Sequence, residues 1–168
     1  METSTLEQAY YISQLVGTLA VIISLVYVAK QIRQNTNTIK LNSAQNLSHE
    51  LRESLALLAA DAGLSEIHLR AMQDINGLGP VEKFRFYILL NNIFRVYENA
   101  YYQHTQGTVD PSVWAGIFGN MNVTKATSGY QAFWHERKNI FGKKFQDFYD
   151  SEVIGNPDTL SAFRKENT

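Results

Sequence analysis

The chain has 168 residues, 15 Lys plus Arg against 16 Asp plus Glu, and no cysteine. That length holds one domain and an appendage, and the near-neutral charge argues against a dedicated nucleic-acid binder. The missing thiols exclude disulfides, cysteine nucleophiles and Cys-ligated metal, while 45% apolar residues are too many for a disordered chain.

Mean hydropathy is only -0.23, but the average hides one apolar segment. No charged residue lies between Glu7 and Lys30. As a helix, residues 8–29 span about 33 Å at ~1.5 Å per residue, which matches a hydrocarbon core of ~30 Å. Ser13, Gln14, Thr18 and Ser24 are its few polar members, and Tyr10 and Tyr11 stand where an interfacial aromatic belt belongs. The expectation is a transmembrane helix facing a lipid bilayer. The N-terminal flank carries Glu2 and Glu7 and no Lys or Arg, so it does not read as a cleavable leader. Every Lys and Arg lies at or after Lys30. The positive-inside rule then places the N-terminus outside and the C-terminal part in the cytoplasm.

The segment is patterned. At ~100° per residue, Ser13, Gly17, Ala20 and Ser24 share a narrow stripe, which continues as Gln31, Asn35, Thr38 and Asn42. Small residues at spacings of four and three let membrane helices approach closely. The stripe predicts a homo-oligomer seam; the same residues in a ring would line a narrow pore.

Past Ala29 the helix signal persists. Leu47, Leu51, Leu55 and Leu58 keep amphipathic spacing, and the poor helix formers Asn35 to Thr38 are the weak point, where a kink or short linker is expected. Gly63 is read as the terminating residue and Ser65 as the cap of a short helix running to Asp74. The Asn76-Gly77-Leu78-Gly79-Pro80 turn opens a long helix that ends before Gly107. Its core stripe is Tyr87, Leu90, Phe94, Tyr97 and Tyr101, widened by Val81, Phe84, Ile88 and Ala100. Asp110-Pro111 opens the next helix, with Trp114, Ile117, Phe118 and Met121 on its apolar face. Thr127 or Ser128 starts another, and Gly142 precedes a last one with Phe145, Phe148 and Tyr149. No strand-period alternation competes. The fold class is all-α: an anchor helix in 1–34, a juxtamembrane helix in 35–60, a bundle in 61–154 that brings the helices past the anchor to about five, and a loose tail in 155–168.

Three stretches carry a resemblance: QLVGTLAVIISLVYVAKQIRQNT, FRVYENAYYQHTQGTVDPSVWAG and FWHERKNIFGKKFQDF. In these the chain resembles a widespread group of uncharacterised bacterial single-pass membrane proteins with a C-terminal helical domain. The resemblance implies a bacterial inner-membrane location and supplies no catalytic residues.

Candidate chemistry is sparse. His49, His68, His104 and His135 lack the spacing of a helix-borne metal site, and neither a Walker A sequence nor a Gly-x-Ser-x-Gly turn is present. No metal or other cofactor is expected. Arg95 and Glu98 sit three apart in an apolar helix, with Tyr101, Trp134 and Arg137 expected nearby. They form a polar pocket for a small anion or an ion pair that sets helix register. Arg137, Lys138, Lys143 and Lys144 make a basic cluster that suits anionic headgroups. The leading functional expectation is a membrane-anchored, self-associating interaction or scaffold module. The alternatives are an oligomeric channel and a ligand-binding or enzymatic bundle.

Overall fold

The computed structural model describes the backbone of residues 2–156 and the side chains of residue 7 and of residues 10–156. Among the described residues it is all-helical, with six α-helices and two short 3-10 turns. In chain order these are α1 (Glu2–Ala60), α2 (Ala62–Gln73), a 3-10 turn at Ile75–Gly77, α3 (Pro80–Thr105), α4 (Pro111–Lys125), α5 (Ser128–Arg137), a second 3-10 turn at Lys138–Ile140, and α6 (Lys143–Ser151). Contacts divide the chain into two units, Met1–Ile39 and Lys40–Thr168. The division falls inside the segment 35–60.

The first unit is helical throughout its described residues. Its large apolar side chains are at least half exposed apart from Val28 at 48%, and the most apolar 18-residue window, of mean hydropathy 2.1, has no buried share. The helix is long and apolar enough to cross a membrane. No linker interrupts the chain at Asn35 to Thr38: these residues are helical. Thr36 and Thr38 donate their hydroxyls to the carbonyls of Ile32 and Gln34, both at 3.0 Å. Those bonds satisfy the groups that otherwise compete with helix.

In the second unit α3 is the central element. Phe86, Tyr87, Leu89, Leu90, Ile93, Phe94, Val96, Tyr97 and Ala100 are all buried along it. Phe94 is the hub of the core. Its ring lies 5.5 Å from Tyr97, 5.0 Å from Phe133, 5.4 Å from Trp134, 5.8 Å from Phe141 and 5.2 Å from Tyr149. α5, the turn after it and α6 thus meet on one residue. Aromatic pairs at such separations each add about 0.5–1.5 kcal/mol beyond the area they bury.

The ends of the helices follow local chemistry. Asp110 caps α4 by accepting the Ser112 N–H at 2.8 Å, with Pro111 in the first turn. Gly107 follows α3 at φ +68°, a conformation that suits glycine. Glu82 accepts the Gly79 N–H at 2.8 Å and the Arg70 guanidinium at 2.7 Å, which pins the turn between α2 and α3.

Four expectations are corrected. Gly63 does not end a helix, since it lies in the first turn of α2. The break is Asp61, which accepts the Leu64 N–H at 3.0 Å and pairs with Arg85 at 2.5 Å. Those donors, the Leu64 amide first, hold its carboxyl below the usual carboxylate range. Ser65 is inside α2 rather than its cap, and its hydroxyl donates to the Leu58 carbonyl. On α1 the buried stripe takes Ser54, 6% exposed, and leaves Leu55 45% exposed. Position 54 keeps the 47, 51, 54, 58 spacing, and its hydroxyl is satisfied by the Glu50 carbonyl at 3.0 Å. On α3, Val81, Phe84 and Ile88 do not widen the core; they face outward. α5 and α6 pack on the arc of Tyr87 and Phe94 instead. Of the tail 155–168, residues 157–168 lie outside the described residues. Asn156 donates its N–H to the Asn122 carbonyl at 2.8 Å.

Gly129, at the start of α5, is a close approach. A Cβ there would stand 2.7 Å from the Phe86 ring and 2.8 Å from the Ala71 carbonyl oxygen. Because one contact is backbone, Gly129→Ala is expected to destabilise the second unit by about 2–3 kcal/mol. Denaturant unfolding followed by tryptophan fluorescence measures it, with Gly116→Ala, which meets nothing within 4 Å and is expected to stabilise α4 slightly, as the control without a clash.

His68 packs between Phe86 and Tyr130, at 5.8 and 6.1 Å. Burial holds its imidazole below the ordinary value of 6.5. The unfolded chain therefore takes up this proton first. Its contribution to stability is complete above the ordinary value and falls away as pH drops through the window beneath it. The loss in melting temperature between pH 7 and pH 5 should be smaller in His68→Gln than in wild type.

Candidate functional site

The stripe on α1 is exposed at every position: Ser13, Gly17, Ala20, Ser24, Gln31, Asn35, Thr38 and Asn42. Its hydroxyls are turned onto the helix itself. Ser13 donates to the Tyr10 carbonyl and Ser24 to the Ala20 carbonyl, both at 2.8 Å. A Cβ at Gly17 meets nothing within 4 Å. From Ser13 to Ser24 the stripe is thus low in relief, with its hydroxyls bonded within the helix. These are the properties that let a second helix approach closely in a medium without water.

The Arg95 and Glu98 pair is built into the second unit. Arg95 Nη1 donates to Glu98 Oε2 at 2.7 Å, and Arg95 Nη2 donates to the Ile140 carbonyl at 3.0 Å. The guanidinium also covers the Phe141 ring at 4.7 Å. The second oxygen of Glu98 accepts the Gly142 N–H at 2.6 Å. Gly142 is the N-cap of α6, and a Cβ on it would run into the Tyr102 hydroxyl. The pair therefore clamps the α5–α6 turn onto α3, and its polar atoms are engaged by the chain's own backbone.

Of the residues expected around this pair, Trp134 stacks at 5.7 Å on Phe141, the ring that Arg95 covers, while Tyr101 and Arg137 turn elsewhere. Trp134 donates its indole N–H to Asp150 at 2.6 Å and stacks on Phe94. Tyr101 stacks on Phe148 at 4.6 Å. Arg137 is exposed at the end of α5, and among the described residues no hydrogen bond or ion pair joins it to Arg95 or Glu98. In the basic cluster, Lys138 is paired with Asp150 at 2.9 Å and Lys143 with Asp147 at 2.7 Å. Two of its three lysines are thereby neutralised locally.

Two features escape sequence reasoning. One is an open groove of about 730 Å³ between α1 and α3, lined by residues that include Glu50, Glu53, Ser54, Asn92, Arg95 and Asn99. The other is Lys125, whose ammonium donates to the carbonyls of Tyr149 and Val153 at 2.6 and 2.7 Å. Burial pulls its pKa down, while its position at the C-terminal end of α6 favours a cation. Spacing along the chain signals neither, because each depends on contacts between distant segments. Among the described residues no group of three His, Asp or Glu converges on a point where a metal ion could be held.

If the Arg95 and Glu98 pair is a clamp, Glu98→Ala should lower the stability of the second unit by about 2 kcal/mol. It strips the Gly142 N–H of its acceptor and Arg95 of its anion. Glu98→Gln, which keeps an acceptor, should recover part of this. Chemical unfolding of the three proteins checks the order.

Comparison of the chain with protein-family models, with curated proteins and with solved structures returned no match.

Proposed function

We propose that the chain is a membrane-anchored helical module that self-associates through α1, with no enzymatic role for the groups described above. One observation carries this reading: the most apolar window of α1 has no buried share. Apolar surface on that scale is stable only where something other than water covers it. Residues 8–29 match the hydrocarbon thickness. From Tyr10 to Lys30 the helix rises about 30 Å, so an aromatic pair marks one interface and the first cation the other. The hydroxyls of Ser13, Thr18 and Ser24 each have an intrahelical acceptor at 2.8 Å, which removes the penalty of carrying them into lipid.

In this reading the N-terminus lies outside a bacterial inner membrane and the second unit is cytoplasmic. The seam is the stripe from Ser13 to Ser24, continued by Gln31, Asn35, Thr38 and Asn42. Asn and Gln on such a face hydrogen-bond across to a neighbouring helix. The second unit offers a compact domain tied to that assembly. Glu82, Glu98 and Lys125 are spent on its own turns and helix ends, which supports an interaction module over a catalyst.

The test is the oligomeric state of the full chain in mild detergent or lipid discs, by native mass spectrometry. Wild type is expected as an oligomer that Gly17→Leu dissociates, because a leucine side chain at the seam holds the helices apart. A strictly monomeric wild type, indifferent to Gly17→Leu, would overturn the reading.

A further inference from the structure

We infer that Asn76 is a site of covalent modification: in the folded protein it loses its side-chain amide through a cyclic imide, which converts the turn between α2 and α3 to aspartyl and isoaspartyl forms. Asn76-Gly77 is the one Asn-Gly step in the sequence. The imide closes when the Gly77 backbone nitrogen attacks the side-chain carbonyl carbon of Asn76. That attack needs an accessible asparagine, an amide that nothing ties down, a loosely held backbone nitrogen and no side chain crowding it. The 3-10 turn at Ile75–Gly77 supplies all four.

Asn76 and Gly77 are both exposed. Among the described residues no hydrogen bond engages the Asn76 side-chain amide; its backbone N–H alone is held, by Asp74 Oδ1 at 2.9 Å. The Gly77 N–H donates to the Asp74 carbonyl at 3.3 Å, longer than the usual ~2.9 Å. Packing does not call for a glycine at 77. Its φ lies outside the left-handed region that Gly107 and Gly155 occupy, and a Cβ there would meet nothing within 4 Å. The missing side chain therefore bears on reactivity and leaves the fold indifferent. Asn139 is the natural contrast. It is exposed in the other 3-10 turn, at Lys138–Ile140, but the β-branched Ile140 follows it and crowds the attacking nitrogen.

The reaction needs only water. The Gly77 nitrogen gives its proton to solvent and bonds to Asn76 Cγ; the Cγ–Nδ2 bond breaks and the nitrogen leaves as ammonia. Water then opens the five-membered imide. Breaking the bond from Cγ to nitrogen leaves aspartate in the normal chain. Breaking the bond from the backbone carbonyl carbon to nitrogen leaves isoaspartate, with the chain now running through Cβ and Cγ. No group is oxidised or reduced.

The isoaspartyl path is one bond longer than the native one, and the turn has little room to absorb it. Ile75 is 7% exposed, and its N–H is held by the Ser128 hydroxyl at 3.1 Å. The extra length thus falls on Gly77 to Gly79. It breaks the register of the Leu78 N–H with the Ile75 carbonyl, 3.3 Å, and moves the Gly77 carbonyl away from Arg70 Nη2, 3.4 Å. Both products also add a negative charge to a turn that already holds Asp74 and Glu82.

The test ages the full-length protein, folded and in denaturant, in mildly alkaline buffer made with oxygen-18 water. Trypsin digestion in ordinary water and mass spectrometry follow. Cleavage after Arg70 and Lys83 releases residues 71–83, in which Asn76 is the single asparagine; cleavage after Lys138 and Lys143 releases residues 139–143, which report on Asn139. The first peptide is expected to gain about 3 Da and to split into two forms, one of them a substrate for an isoaspartyl methyltransferase. The folded rate should lie within about tenfold of the denatured rate, as an open turn allows. Gly77→Ala should slow the gain about tenfold, and residues 139–143 should not change. A folded rate more than about tenfold below the denatured one overturns the inference, because the turn then protects its asparagine. So do the absence of any gain, a gain in Gly77→Ala at the wild-type rate, and a gain at Asn139 as fast as at Asn76. Aged protein should melt roughly 5 °C below Asn76→Asp, which carries the charge without the extra bond. Equal melting overturns the loosening of the turn.

Discussion

Phe94 occupies the middle of α3, and the arrangement of α5, the following turn and α6 depends on how rings from each stack around it. Aromatic rings fill volume efficiently but pack in few geometries, so the hub dictates backbone positions as well as side chains. Phe86, one face along, forces the start of α5 so close that only a glycine fits at 129. The polar tips of the rings must then find partners at the edge of the core. Trp134 reaches Asp150, and the Tyr97 hydroxyl reaches Asn120 at 2.5 Å. Tyr149 lies so deep that burial raises its phenol well above the ordinary value.

Around this core the charged residues work as fasteners. Glu98 joins α3 to the cap of α6, Glu82 joins α2 to the turn before α3, and Lys125 joins α4 to the end of α6. In each case one charged side chain serves a backbone group that a helix end leaves unsatisfied. Charge-assisted bonds of this kind are about twice as strong as neutral ones. The first unit solves the same problem differently. It spends no charge between residues 8 and 29, and its hydroxyls close on the carbonyls of their own helix.

Much of this was legible in sequence because it is local. The Asp110-Pro111 start, the Gly107 stop, the Pro80 entry and the amphipathic stripe of α3 all arise from neighbours within a turn or two. The buried Ser54 was not legible, since a serine reads as a surface residue until its hydroxyl has a carbonyl to bond. Asp61 was hidden by the stronger helix-ending signal of Gly63 beside it. Gly129 carried no signal of its own within the helix begun at Thr127 or Ser128, because its reason lies on α2 and α3. For the candidate site, the spacing of Arg95 and Glu98 announced a pair. Its employment depended on Ile140 and Gly142, more than forty residues away, and no periodicity carries that information. The outward arc of Val81, Phe84 and Ile88 is the reverse case: the pattern asks for burial, and the fold leaves these three side chains exposed.

The corner at Asp61 has a mechanical consequence. A single residue separates α1 from α2, and its carboxylate is held both by the Leu64 amide and by Arg85 on α3. A longer loop would act as a slack hinge, absorbing rotation of one helix before the next felt it. This joint is a bracket. Torque applied along the Lys40 to Ala60 stretch is delivered to α2 and α3 together, with no intervening chain to dissipate it.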